Sequence, residues 1–177
     1  VGYEEKLAAH QNGGKLHRAF SVFVLNSDGR MLLQQRANSK YHFPGIWTKT
    51  CCSHPLRGEV VEESARRRLQ FELGIDTDLS EVFSFIYRAE DSASGLVEHE
   101  LDHVLIGHHD GDPEPNADEV ADWKWITVDE LDASLAEQPD RYSPWFKFAL
   151  PRLSEADGGW ARAIPGVNSE AGNRSGF

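Results

Sequence analysis

The sequence predicts one domain of α/β (α+β) class, a mixed sheet layered with helices as a sandwich. Three observations carry that expectation. Short runs of β-forming residues recur along the chain, helical periodicity replaces them in a few intervening segments, and 177 residues suit a single domain.

Residues 19–25 and 31–35 are apolar runs separated by Asn26-Ser27-Asp28-Gly29, a strong turn signal, so the pair reads as a β-hairpin. Phe43-Pro44-Gly45 breaks the chain, and a loop is expected through Cys52 to Pro55. From 59 to 73 the pattern is helical. Val61, Ala65, Leu69 and Leu73 repeat every four residues as a buried stripe, a neighbouring row carries Ser64, Arg68 and Glu72, and Gly74 follows as a C-cap. Residues 82–88 and 96–106 read as strands, 110–118 as an acidic, proline-bearing loop and 120–126 as another strand. Thr127 with Glu130 spells a capping box. Ser143-Pro144 is an N-cap and N1 pair opening a helix that carries Trp145 and Phe148. No internal repeat is present. The domain is expected to span 1–156, with 157–177, rich in Gly, Ser and Asn, as a flexible C-terminal tail.

Lys and Arg total 18 against 29 Asp and Glu, a formal charge of −11. That sign argues against broad binding to nucleic acid or to an anionic bilayer, and leaves room for a small anion on a local cationic cluster. No stretch approaches the ~20 consecutive apolar residues of a membrane span. The two cysteines, Cys51 and Cys52, are adjacent and cannot staple distant segments. Free thiols suit a reducing compartment, and no basic region leads into an apolar run, so the expected location is cytoplasmic. The expected partner is a small molecule, with no nucleic acid and no membrane, and the expected assembly is a monomer or weak homo-oligomer.

Glu98 and Glu100 point to one face of an extended strand. Two acids there repel unless a cation sits between them, which suggests a metal; the pair alone also fits a solvent-facing strand. A thiol pKa of about 8.5 lets a cysteine serve as acid or base, whereas small buried packing is the commoner role. Arg68 and Glu72, one helical turn apart, make either an exposed ion pair or part of an anion site.

Glu59, Arg67, Leu69, Glu72, Gly74 and Ile75 fall at the spacing of the Nudix box of diphosphate hydrolases. Ser53 stands where that box has its first Gly, and Arg68 and Phe71 where it has two further glutamates. Around it occur, in order, Lys6, His10 and His17, then Arg36-Ala37-Asn38-Ser39-Lys40 and Thr50-Cys51-Cys52-Ser53-His54-Pro55. Glu98-His99-Glu100 and Tyr142-Ser143-Pro144-Trp145 complete the set. Over residues 6–145 it resembles type I isopentenyl-diphosphate isomerase, of the Nudix superfamily. Lys49 stands where many members have Asn.

The resemblance implies a Nudix-like α/β/α sandwich and a 1,3-allylic rearrangement of isopentenyl to dimethylallyl diphosphate in isoprenoid biosynthesis. Protonating an unactivated alkene creates a tertiary carbocation that water would trap. The chemistry therefore needs an acid and a base on opposite faces of a water-poor pocket. The implied catalytic residues are Cys52 and Glu100, with Tyr87 relaying a proton and Trp145 facing the cation at ~2 kcal/mol or more when desolvated. The residues leave open which of Cys52 and Glu100 is acid and which base; in the family the Glu protonates the alkene. Lys6, Arg36, Lys40, Ser53 and Arg68 are implied diphosphate contacts, and Glu72 would hold a bridging Mg²⁺. His10, His17, His54, Glu98 and Glu100 form a mixed N/O set for a second divalent metal, Mn²⁺, Zn²⁺ or Mg²⁺. Cys51 reads as a small buried packing residue and Trp47, Trp123 and Trp125 as core aromatics, while Arg66, Arg67 and the remaining His99, His103, His108 and His109 read as structural or surface. Two alternatives stand beside this: a Nudix hydrolase of a nucleoside diphosphate derivative, which wants the missing glutamates, and a catalytically silent binding module.

Overall fold

In chain order the elements are α1 (Lys6–His10), β1 (His17–Leu25), β2 (Met31–Arg36), β3 (Trp47–Thr48), β4 (Cys51–Ser53) and α2 (Val61–Leu73). There follow β5 (Leu79–Glu90), β6 (Val97–His108), β7 (Val120–Ile126), α3 (Val128–Glu137), a 3₁₀ turn (Pro139–Arg141) and α4 (Pro144–Glu155). The computed structural model describes residues 6–40, 43–91 and 94–156; the tail expected over 157–177 lies outside them. Among the described residues no helix is long and apolar enough to cross a membrane.

The seven strands form one mixed sheet ordered β3-β2-β1-β6-β5, with β4 also beside β1 and β7 beside β2. β1 is its axis. It runs parallel to β6 from His17↔Glu100 to Leu25↔His108 and antiparallel to β4 at Phe20–Val22. The predicted hairpin closes at Leu25↔Met31, beyond which β1 and β2 splay. Thr50 fills the gap: its hydroxyl accepts from Val24 N at 2.8 Å and donates to Leu32 O at 2.6 Å.

Alternation along β1 builds two cores. Phe20, Val22 and Val24 face the stripe Val61, Ala65, Leu69 and Leu73 of α2. Phe23 and Leu25 face Leu131 of α3 and Phe146, Ala149, Leu150 and Leu153 of α4. Helices thus cover both faces, the α/β/α sandwich expected. Gly74 ends α2 at φ 68°, and a Cβ there would lie 2.8 Å from the Glu114 side chain. The Thr127–Glu130 capping box and the Ser143 cap on Phe146 N both form.

The differences from expectation are local. The loop expected through Pro55 contains β3 and β4, strands too short for a period-2 signal. The five-residue α1 carried no periodic signal; β5 outruns both of its predicted ends and β6 its C-terminal one, because the two extend each other as an antiparallel pair with a register shift between Glu81 and Phe83. Trp47 is buried in the core as expected, whereas Trp123 and Trp125 on β7 are half-buried.

Beneath the site lies a buried charged pair. Lys49 and Asp102 are each 1% exposed, with Nζ 3.8 Å from Oδ2, and Ser21 Oγ donates to the same oxygen at 2.5 Å. Burial pushes the Asp102 carboxyl up, against the pull of the Lys49 ammonium and the Ser21 hydroxyl. Removing one partner leaves a buried charge uncompensated, while removing both does not. Lys49→Met should therefore lower unfolding stability in urea by about 3–5 kcal/mol. Lys49→Met combined with Asp102→Leu should recover most of that loss. Equal stability of Lys49→Met and the parent would contradict the pairing.

Candidate active site and metal centre

The parallel register sets His17 beside Glu100, and the antiparallel register of β5 sets Tyr87 beside Glu100 from the other side. β4 delivers His54 immediately after Ser53, and α1 ends on His10, packed on β6. Gly14, at φ 71°, allows the α1–β1 connection to lie against Val97, whose side chain would be 2.8 Å from a Cβ.

Ligand atoms of His10, His17, His54, Glu98 and Glu100 all lie within 4.8 Å of one another. The three imidazoles meet edge to face, with centroids 4.7, 5.3 and 4.8 Å apart. His10 Nε2 is 3.0 Å from Glu98 Oε2, and His54 Nε2 is 2.7 Å from Glu100 Oε1. His17 Nδ1 lies 2.7 Å from Lys15 O. A carbonyl only accepts, so Nδ1 carries a proton and Nε2 is the ring nitrogen turned inward. That nitrogen faces His54 Nε2 at 3.2 Å and Glu100 Oε1 at 3.5 Å. Ring nitrogens and carboxylate oxygens converging this closely, with both carboxylates buried, make a donor set that suits a divalent cation.

Tyr87 donates to Glu100 Oε2 at 2.5 Å. Burial pushes the Glu100 carboxyl up, but hydrogen bonds from His17 and His54 outweigh it and hold the group well below the usual carboxylate range. Burial, reinforced by Glu100 and Glu98, drives the Tyr87 phenol well above its ordinary value. Burial also raises the Cys52 thiol, against the opposing pull of Lys49 and Arg36. Cys51 is fully buried in the α2 core, as packing requires, and its thiol is raised further by burial and by Glu72.

Cys52 and Glu100 line a single cavity of about 100 Å³. Tyr87, Trp145, Arg36, Lys40, Ser53, Arg68, Glu72, His10, His54 and Glu98 line it too. His17 joins through the ligand cluster, and the Lys6 side chain lies outside the described residues. Trp145 is fixed by Nε1–H donating to Thr48 Oγ1 at 3.1 Å, and that hydroxyl also meets the Ser143 cap at 2.9 Å. The Arg36 guanidinium lies 5.8 Å from the Trp145 ring centroid, and Arg36 Nε donates to Phe43 O at 3.1 Å.

The Arg68–Glu72 pair is more than an exposed helix contact. Arg68 Nε donates to Glu72 Oε1 at 2.6 Å, Glu72 is 5% exposed, and Gln34 Nε2 donates to its other oxygen at 2.7 Å. Glu59 turns out to be architectural. It accepts from Leu56 N, Ser64 Oγ and Arg67 and so closes the turn into α2. Arg66 pairs at the surface with Asp76 and Asp78, as a structural residue should. Sequence reasoning missed Glu119, Ser21 and the cavity-facing position of Lys49. The one signal was that Lys49 interrupts the resemblance.

A NUDIX domain model matches residues 15–146. Isopentenyl-diphosphate Delta-isomerase 2 of Aromatoleum aromaticum is 50% identical over 153 residues, covering 86% of this chain and 80% of that protein. Isopentenyl-diphosphate Delta-isomerase of Nocardia farcinica is 53% identical over 142 residues, covering 80% and 81%. The solved structure of a MutT protein from Methanosarcina mazei Go1 shares the fold at TM-score 0.64 and 15% identity, covering 79% of this chain and 94% of that one. With the motif residues gathered around one cavity and relatives aligned along most of its length, the chain belongs to the NUDIX domain family and, within it, to the isopentenyl-diphosphate Delta-isomerases.

Proposed function

We propose that this chain interconverts isopentenyl diphosphate and dimethylallyl diphosphate, with Cys52 and Glu100 acting as acid and base from opposite faces of the olefin. The observation that carries the reading is the shared cavity of these two side chains. A proton joins the terminal methylene carbon, leaving a tertiary cationic centre. A second proton leaves the methylene carbon on the diphosphate side, and the double bond re-forms there. One proton enters and one departs.

Tyr87, bonded to Glu100, orients that carboxyl and relays its proton. The Trp145 ring stands against the cationic centre. Arg36, Lys40, Ser53 and Arg68, with Lys6, anchor the diphosphate and hold the five-carbon chain in register. His10, His17, His54, Glu98 and Glu100 would hold Zn²⁺, Mn²⁺ or Mg²⁺, supplying positive charge beside the reacting carboxyl. Glu72 would hold a Mg²⁺, which would supply positive charge to the diphosphate; each of its oxygens keeps a lone pair beyond the hydrogen bond it accepts. Hydrolysis wants a row of carboxylates on α2, where this chain has Arg68 and an exposed Phe71. The working unit is the domain over 1–156, a cytoplasmic monomer or weak homo-oligomer.

Isopentenyl diphosphate incubated with the protein and a divalent cation in deuterated water should yield dimethylallyl diphosphate carrying deuterium in a methyl group. Release of inorganic phosphate without a deuterated allylic product would reject the isomerase reading. Cys52→Ala and Glu100→Gln should each lower kcat by a factor of about 10²–10⁴ or more. Cys52→Ala should keep its affinity for inorganic pyrophosphate, measured by calorimetry. Turnover near the parent rate in either variant would remove that residue from the mechanism.

A further inference from the structure

The cavity contains a carboxylate that neither the motif nor the chemistry of the olefin calls for. Glu119 sits in the turn ahead of β7, beside the cations read as diphosphate ligands. Its Oε2 accepts from Lys40 Nζ and, at 2.5 Å, from Arg68 Nη2. Arg68 in turn reaches Glu72 through Nε. One oxygen therefore ties together two long side chains from separate parts of the fold.

The backbone beneath it is held from two sides. Glu119 O accepts from Ala37 N at 2.9 Å, next to Arg36, and Glu119 N donates to Asn116 O at 2.9 Å. Asn116 N donates to Glu72 O at 2.8 Å, so the turn is also pinned to the end of α2. A register shift between Gln35 and Arg36 against β7 brings Val120 opposite Arg36 and carries Glu119 to the cavity rim. Lys and Arg are rotamer-rich, and ordering such side chains on binding weakens affinity. A carboxylate that fixes both in advance removes that penalty. An anion in an anion site also competes with its ligand. Yet Arg68 has five donors and the Lys40 ammonium three, so both can keep Glu119 and still reach phosphate oxygens.

We propose that Glu119 is a positioning residue of the diphosphate site, its carboxylate holding Lys40 and Arg68 toward the cavity before substrate arrives. This rests on the reading of Lys40 and Arg68 as diphosphate contacts. The test compares the full-length parent, Glu119→Gln and Lys40→Met. Inorganic pyrophosphate is titrated by calorimetry with and without Mg²⁺, alongside KM and kcat for isomerisation and the thermal midpoint.

Glu119→Gln should raise the pyrophosphate Kd and the KM about tenfold, with or without Mg²⁺. Its kcat should stay within about twofold and its thermal midpoint should match the parent's. Unchanged or tighter pyrophosphate binding would make Glu119 a bystander or a competitor and overturn the proposal. Weakening confined to the Mg²⁺ titration would make it a metal ligand and overturn it as well. If Lys40→Met binds pyrophosphate as the parent does, the diphosphate reading itself fails, a result separable from failure of Glu119→Gln alone.

Discussion

Three imidazoles and two carboxylates, His10 and both acids buried, pressed into one cluster are the constraint around which this molecule is organised. Carboxylates such as Glu98 and Glu100, 7% and 6% exposed, are tolerated in an interior only beside compensating positive charge. The sheet is arranged to bring that compensation. A parallel β1–β6 pair is needed to set His17 against Glu100, a short β4 to deliver His54, and a helix across β6 to deliver His10. None of these connections is local in sequence, so the cluster exists only once the sheet is complete.

From that cluster the site extends through hydrogen bonds as far as the helices. Glu100 engages Tyr87, and Trp145 is locked through Thr48 to the Ser143 cap of α4. On the other side Lys40 and Arg68 connect through Glu119 and Glu72 to Gln34 on β2 and to α2. Lys49, paired with Asp102, puts a further buried charge under the cavity floor. The cavity is therefore polar where a diphosphate would bind and aromatic at Trp145 and Tyr87. Side chains tied down in this way lose little further freedom when a ligand binds, which is how a stable scaffold pre-organises chemistry.

Much of the fold was legible because its signals are local. The turn at Asn26–Gly29, the four-residue stripe of α2 and the Thr127–Glu130 capping box each lie within a few residues and form as written. β3 and β4 were not legible: two- and three-residue strands hold by pairing with β2 and β1 and by the Thr50 hydroxyl, none of which leaves a period in the sequence. In the site, the resemblance supplied the cysteine, the imidazoles and carboxylates, and the cations Arg36, Lys40 and Arg68, which the fold brings to one place. It said nothing of Glu119, whose position depends on a register shift and a turn, nor of the Lys49–Asp102 pair, joined only across the sheet. Glu59 shows the converse, a motif residue whose contacts are architectural.

The chemistry proposed for this chain depends on His10, His17, His54, Glu98 and Glu100 forming one metal centre. Anomalous diffraction from crystals grown with Mn²⁺ or Zn²⁺, collected at the absorption edge of the ion, tests it most directly. A single strong peak bonded to His10, His17, His54, Glu98 and Glu100 is the predicted result. A cluster without a peak, or ions bound only at surface histidines such as His109, would contradict the account.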